Sequence, residues 1–136
     1  MSAPSWGLPA ARCLLAATGL IYLYLGAVFV LWPVGWAQKI GFTLDADGVV
    51  EIRAVYGGLE LGLGVFFLVA ALRREWVGVG LWALCLTFAG LAVCRALGLA
   101  LAEGPGPMPW KLFAVEASET VLSAAALWIT RGAEAA

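Results

Sequence analysis

The sequence predicts an all-α fold, an integral membrane bundle of four transmembrane helices with both termini on the cytoplasmic side. Three observations lead to this prediction. First, 63% of the 136 residues are hydrophobic, whereas soluble domains average about 45–50% apolar residues. Second, the apolar residues fall into four long blocks, and a helix needs about 20 such residues to cross a bilayer. Third, the basic residues near the ends of these blocks are unevenly distributed between the two predicted sides.

The four predicted spans of this single domain are about residues 13–32, 49–72, 76–101 and 110–130. The first apolar run follows Arg12 and exceeds the roughly 7–15 residues of a secretory signal, so we expect it to be retained as a helix. Pro33 ends this helix. The stretch of residues 33–47 is too polar to span and predicts a short segment at the interface, after which Asp45 or Asp47 caps the second helix.

The orientation follows from the basic residues, which concentrate on the cytoplasmic side of membrane proteins. With four spans, the N-terminus, the middle loop and the C-terminus share one side. That side carries Arg12, Arg73, Arg74 and Arg131, whereas the other carries Lys39 and Lys111 beside Asp45, Asp47 and Glu103. Both termini are therefore predicted to be cytoplasmic.

Composition excludes several classes of function. The net charge is −1, so no basic surface indicates a nucleic-acid partner. The chain has no histidine, which removes His-ligated haem, His-ligated zinc and histidine acid–base chemistry. None of the three cysteines forms a CxxC pair. Cys85 and Cys94 share one helix, where they lie too far apart for a disulfide. We therefore predict neither a cofactor nor a metal site.

Charged residues inside three predicted spans are the strongest functional signal. Arg53 and Glu60 lie in the second span, Arg95 in the third, and Glu116 and Glu119 in the fourth. A charge near the centre of a membrane helix costs about 2.5–3.5 kcal/mol on insertion scales. The predicted topology places these charges in the outer half of the membrane, where they can meet inside the bundle.

The charged side chains predict a network in which Arg53 and Arg95 neutralise some of the three glutamates. One carboxylate is then left over, and it would be protonated or would bind a cation or a proton donor. A purely structural interpretation stays open, because buried ion pairs can fix helix register without a ligand. The candidate ligand-binding cluster is Arg53, Tyr56, Glu60, Arg95, Glu116 and Glu119, with Tyr22 and Tyr24 as further polar residues of the cavity.

Small residues on the second span predict a close helix contact. Gly58 and Gly62 form a small-xxx-small pattern on the face opposite Glu60, and such patterns let helices approach closely. We interpret this face as internal packing, with a homodimer contact as the alternative.

Four segments resemble an uncharacterised bacterial family of short four-helix membrane proteins in the DoxX-like group. They are EIRAVYGGLELGLG at Glu51–Gly64, RREW at Arg73–Trp76, GLAVCRALG at Gly90–Gly98, and the late glutamates of the fourth span. The resemblance covers roughly Leu14 to Arg131 and implies a four-helix bundle in the bacterial inner (plasma) membrane. It implies no activity and no catalytic residue. More distant DoxX-like members are linked to thiol or quinone redox work, for which this chain lacks histidine and CxxC.

These observations favour a small, non-enzymatic inner-membrane protein. We expect it to bind a hydrophobic or amphipathic ligand, or a membrane-protein partner, through the candidate cluster. One alternative is a membrane isomerase or oxidoreductase acting on a lipid-, quinone- or sterol-like substrate, with Glu60 or Glu116 as acid/base. Another is a proton- or ion-coupled transporter, which would have to oligomerise at this size.

Overall fold

The chain folds into helices connected by short loops. The computed structural model describes the backbone of residues 6–134 and the side chains of residues 6–130. The described residues form no strand and five helices, α1 (Gly7–Leu31), α2 (Pro33–Lys39), α3 (Ala46–Leu72), α4 (Val77–Leu101) and α5 (Pro107–Glu134). A 3₁₀ turn at Arg74–Trp76 precedes α4. Four of these helices, α1, α3, α4 and α5, are long and apolar enough to cross a membrane. Their most apolar 18-residue stretches have mean hydropathies of 1.4–2.2. The predicted fold class is confirmed.

The third helix is not uniform. Its first part, Ala46–Ile52, and its last part, Glu60–Leu72, are α-helical, whereas Arg53–Leu59 between them is π-helical. Asp45 caps the start of α3 as predicted, because its Oδ1 accepts a hydrogen bond of 2.8 Å from the Gly48 amide. The polar stretch before it contains α2, a two-turn helix in which Pro33 stands at the first turn.

The spanning helices pack as neighbours in chain order. Helix α1 lies along α3, and α4 lies along α5; smaller contacts join α3 to α4 and α1 to α5. The start of α1, the α3–α4 turn and the end of α5 lie at one end, which we call the arginine end after Arg12, Arg73 and Arg74. The other is the acidic end, with Asp45, Asp47 and Glu103. The side chain of Arg131, also assigned to the arginine end, lies outside the described residues.

Helix α1 begins at Gly7, which is before the predicted start of the first span. Arg12 therefore lies inside the helix. Its Nε–H donates a hydrogen bond of 2.7 Å to the carbonyl oxygen of Ala71, and Nη2 lies 3.5 Å from that of Leu72. The last carbonyls of a helix have no partner within the helix, so the Arg12 guanidinium caps the C-terminus of α3. This contact explains why a charged residue is accommodated within α1.

The main core occupies the arginine end and the middle of the bundle. Leu15, Phe67, Leu81 and Leu84 are each 0% exposed and come from α1, α3 and α4. A second, smaller cluster fills the acidic end between α1, α2 and the start of α3. Its buried members are Val28, Phe29, Ala37 and Ile52.

Helices α1 and α3 touch backbone to backbone at paired glycines. A Cβ built at Gly19 would lie 3.0 Å from the carbonyl oxygen of Gly64, and one built at Gly64 would lie 2.9 Å from that of Gly19. A Cβ built at Gly26 would lie 2.9 Å from the carbonyl oxygen of Gly57. No larger residue fits at these positions without separating the helices. Small residues allow this kind of approach between membrane helices.

The predicted packing role of Gly58 and Gly62 is wrong for contacts within the chain. Among the described residues, the nearest atom to a Cβ at Gly58 is the carbonyl oxygen of Arg53 in the same helix, at 3.9 Å, and nothing lies within 4 Å of one at Gly62. The helix contact instead uses Gly57 and Gly64. The homodimer interpretation of Gly58 and Gly62 stays a prediction.

Replacing Gly64 by alanine should destabilise the bundle, whereas the same change at Gly62 should not. The new methyl group at Gly64 would overlap backbone atoms of α1, and overpacking of this kind costs about 1–3 kcal/mol. Gly62→Ala, two residues away in the same helix, is the matched control. Unfolding curves in detergent measure the free energy of unfolding of each variant. Equal stabilities for the two variants would contradict the glycine contact.

Candidate functional site

One ion pair joins α4 to α5. Arg95 Nε lies 2.7 Å from Glu116 Oε2, and Arg95 Nη2 lies 2.6 Å from Glu116 Oε1. This bidentate geometry is the strongest form of the arginine–carboxylate interaction. Glu116 is 5% exposed, so the Arg95 guanidinium satisfies a carboxylate that would otherwise be buried without a partner. This pair is one of the arginine–glutamate pairs that the sequence left open for Arg95.

The hydroxyl groups that follow Glu116 on α5 are used within their own helix. Thr120 Oγ1 donates to the carbonyl oxygen of Glu116 at 2.8 Å, and Ser123 Oγ donates to that of Glu119 at 2.6 Å. Such bonds to the preceding turn are typical of serine and threonine inside helices. These two hydroxyl groups therefore donate to the backbone and not to the neighbouring carboxyl groups.

Two further carboxyl groups lack partners. Glu60 of α3 and Glu119 of α5 each have a buried Oε2 atom that makes no hydrogen bond among the described residues. A buried polar atom without a partner costs about 1–3 kcal/mol, and more if it is charged. The bundle therefore contains one fully satisfied carboxylate and two carboxyl groups with spare acceptor capacity.

Two tyrosines complete this site. Tyr22 of α1 is 9% exposed, and its ring packs edge-on against Phe67 at 5.7 Å and Phe88 at 6.0 Å. Its phenol lies within electrostatic range of Glu60, Glu116 and Glu119. The phenol of Tyr56 on α3 lies within electrostatic range of Arg95. Each of the four spanning helices thus contributes to one group of residues, which we call the polar cluster: Tyr22, Tyr56, Glu60, Arg95, Glu116 and Glu119.

The π-helical segment sets how α3 presents its part of the polar cluster. A π turn contains one residue more than an α turn and occurs frequently at functional sites. Ile52 and Gly57, which are both buried, are five residues apart across this segment. Tyr56 lies within the segment and Glu60 directly follows it. The α-helical periodicity used for the sequence prediction cannot reveal this extra residue. The Gly57–Gly58 pair is at most a weak signal.

Arg53 does not join the polar cluster. Its side chain is exposed, and its Nε–H donates a hydrogen bond of 3.2 Å to the carbonyl oxygen of Val30. Arg53 therefore caps the C-terminus of α1, just as Arg12 caps that of α3. The predicted neutralisation of a glutamate by Arg53 is wrong within the described side chains, where Arg95–Glu116 is the salt bridge. The other five predicted residues belong to the polar cluster together with Tyr22, which the sequence indicated as a further polar residue of the cavity.

A comparison with known families identifies what the chain is related to. Residues 10–130 match the family described as Domain of unknown function (DUF4345). The chain belongs to this family. The matched region contains the whole polar cluster, and the family description assigns it no activity. No curated protein and no solved structure matches the chain.

The chemistry available to this DUF4345 member is that of hydrogen-bond acceptors held in an apolar bundle. Among the described residues, no group of three or more Cys, Asp or Glu side chains is placed to hold a metal ion. The guanidinium of Arg95 is engaged by Glu116. The acceptor atoms with free capacity belong to Glu60 and Glu119, on different helices. The polar cluster can thus receive a donor group or hold protons.

Replacing Arg95 alone should lower the free energy of unfolding more than replacing both Arg95 and Glu116. Arg95→Leu leaves Glu116 buried and unpaired, and such a loss typically costs about 3–5 kcal/mol. The double variant Arg95→Leu/Glu116→Leu removes both charges of this pair, so part of this stability should return. Lys111→Leu, which removes an exposed cation near the start of α5, is the control. Unfolding free energies in detergent test this, and strictly additive effects would contradict the pairing.

Proposed function

We propose that this DUF4345 protein binds a hydrophobic or amphipathic small molecule through the polar cluster. The polar group of the ligand donates hydrogen bonds to Glu60 and Glu119, while its apolar body lies among the helices. One observation carries this proposal: two buried carboxyl oxygens, on α3 and α5, have no hydrogen-bond partner in the described part of the chain.

The donor inventory of the polar cluster supports a ligand with hydrogen-bond donors. The guanidinium of Arg95 is held by Glu116, and the hydroxyls of Thr120 and Ser123 bond to their own helix. One guanidinium faces three carboxyl groups, so the cluster has an excess of acceptors. A hydroxyl or ammonium group would satisfy these acceptors, whereas a carboxylate or phosphate would be repelled.

The surroundings of the polar cluster support a ligand that is otherwise apolar. Tyr22 packs against Phe67 and Phe88, and Tyr56 lies 5.3 Å from Phe29 between ring centroids. Ligand sites of this kind are lined by apolar and aromatic groups with a few placed polar atoms. A membrane-dissolved alcohol, quinol, sterol-like molecule or lipophilic amine meets both requirements.

Removing either free carboxylate should release the ligand. We expect a small molecule to co-purify with the protein gently extracted from its own membrane. Its occupancy should fall about tenfold in Glu60→Gln and in Glu119→Gln, because a hydrogen bond to a charged group contributes about 1.5–3 kcal/mol. Native mass spectrometry, followed by extraction and identification of the bound molecule, measures the occupancy.

Glu103→Gln, an exposed change in the α4–α5 loop, is the control for this experiment and should keep the ligand. If the wild-type protein carries bulk phospholipid alone, or if all three variants retain the molecule equally, the binding proposal is wrong. A membrane-protein partner in place of the molecule would redirect the search to protein complexes.

A second candidate function is acid–base chemistry or proton-coupled transport in the same cluster. The observation that favours it is the phenol of Tyr22 within electrostatic range of three carboxyl groups on two other helices. A chemically altered molecule recovered after incubation with the wild-type protein, but not with Glu60→Gln, would identify an enzyme. A stable oligomer that moves the unaltered molecule across vesicle membranes would identify a transporter.

We also propose that the arginine end faces the cytoplasm of a bacterium and that the acidic end faces outward. The basic residues support this orientation. Alkaline phosphatase, which is active outside the cytoplasm, should be active when fused after Gly104 in the α4–α5 loop. It should be inactive when fused after Arg73, and fluorescent-protein fusions should show the reverse. Phosphatase activity at Arg73 would contradict the orientation.

A further inference from the structure

Two grooves flank the first half of α1 at the arginine end. One, of about 390 Å³, lies between α1 and α3 and includes Arg12, Cys13 and Ala16 of α1. The other, of about 460 Å³, lies between α1 and α5 and includes Cys13 and Ala125. Both volumes fall within the roughly 300–1,000 Å³ of small-molecule sites. Cys13 lines both grooves, so they run side by side along one helix.

The lining of both grooves suits acyl chains. Apart from Arg12, the walls consist of apolar or small residues, and both grooves lie on helices that are able to cross a membrane. The medium around such helices is hydrocarbon, so a groove between them receives lipid chains and not water. This alone would not distinguish one lipid from another.

Charge at the mouth of the grooves provides that distinction. Arg73 and Arg74 directly follow Leu72, which lines the α1–α3 groove, and both are exposed. Arg12 lines the same groove and donates two of its five N–H groups to the end of α3. Glu75 is the one acidic side chain at this end among the described residues. The excess of positive charge complements an anionic head group.

We propose that the arginine end holds one anionic phospholipid. Its phosphate group contacts Arg73 and Arg74, with the free N–H groups of Arg12 beside them. Its two acyl chains lie in the two grooves on either side of Cys13. This site is separate from the polar cluster, lies in the other half of the bundle and does not depend on the proposed function.

The charge requirement is tested with equal amounts of phosphatidylglycerol and phosphatidylethanolamine of identical chains, added to the delipidated full-length protein. Native mass spectrometry should show preferential retention of phosphatidylglycerol. Arg73→Gln/Arg74→Gln should lower this preference about thirtyfold, because each of the two basic residues near an anionic lipid contributes about 1 kcal/mol. Lys39→Gln/Lys111→Gln, which removes the same charge at the acidic end, should leave the preference unchanged.

The groove requirement is tested with a pair of neighbouring alanines on α5. Ala125→Leu fills part of the α1–α5 groove and should lower phosphatidylglycerol retention without changing charge. Ala124→Leu adds the same volume to an exposed position that does not line either groove, so it should have no effect. Circular dichroism and unfolding curves show that each variant is folded.

Four outcomes would overturn this proposal. The first is equal retention of the two lipids by the wild-type protein. The second is an equal loss of preference in the arginine and lysine double variants, which indicates attraction by total charge alone. The third is identical behaviour of Ala125→Leu and Ala124→Leu, which indicates a head-group contact without chain binding. Displacement of phosphatidylglycerol by excess inorganic phosphate would likewise show that a free anion, and not a lipid, is the ligand.

Discussion

The structure depends on the backbone contact between α1 and α3. Arg12, Gly19 and Gly26 follow one another at seven-residue intervals on α1, and their partners Ala71, Gly64 and Gly57 do so on α3. The two glycine pairs and the Arg12 cap therefore lie in one antiparallel register. The Arg53 bond to Val30 continues this register at the acidic end. Tyr22 lies between Gly19 and Gly26 on α1, and Glu60 lies between Gly57 and Gly64 on α3. The register therefore places Tyr22 and Glu60 at the same height along the bundle.

The second helix pair is held together differently. Arg95 and Glu116 join α4 to α5 by a charge-assisted, bidentate contact, in which geometry and charge both specify the register. The two pairs meet through the apolar core around Leu15, Phe67 and Leu81, on the side toward the arginine end. The polar cluster forms where the pairs face each other beyond this core. Its assembly thus requires both registers at once.

Hydropathy and residue type predicted four apolar helices, a short interfacial segment before α3 and a cap at Asp45 or Asp47, because these depend on local sequence. Two contacts were not predicted, and each has a physical reason. The small-xxx-small pattern favoured Gly58 and Gly62, whereas the contact uses Gly57 and Gly64, because these two lie opposite Gly26 and Gly19 of α1. Pairing Arg53 with a glutamate ignored the unsatisfied carbonyls at the end of α1, which compete for the same guanidinium. Both depend on tertiary geometry.

The balance of charges separates a structural role from a binding role for the polar cluster. A cluster that served helix register alone would need one cation for each carboxylate, because every unpaired buried carboxyl group opposes folding. Glu116 meets this condition, whereas Glu60 and Glu119 retain unpartnered oxygens. Leucine at either position would remove that cost and keep the helix. Costly polar groups inside a membrane bundle are typical of sites that meet a ligand or a proton. The register of α1 and α3 holds Glu60 at the level where such a group would meet Tyr22.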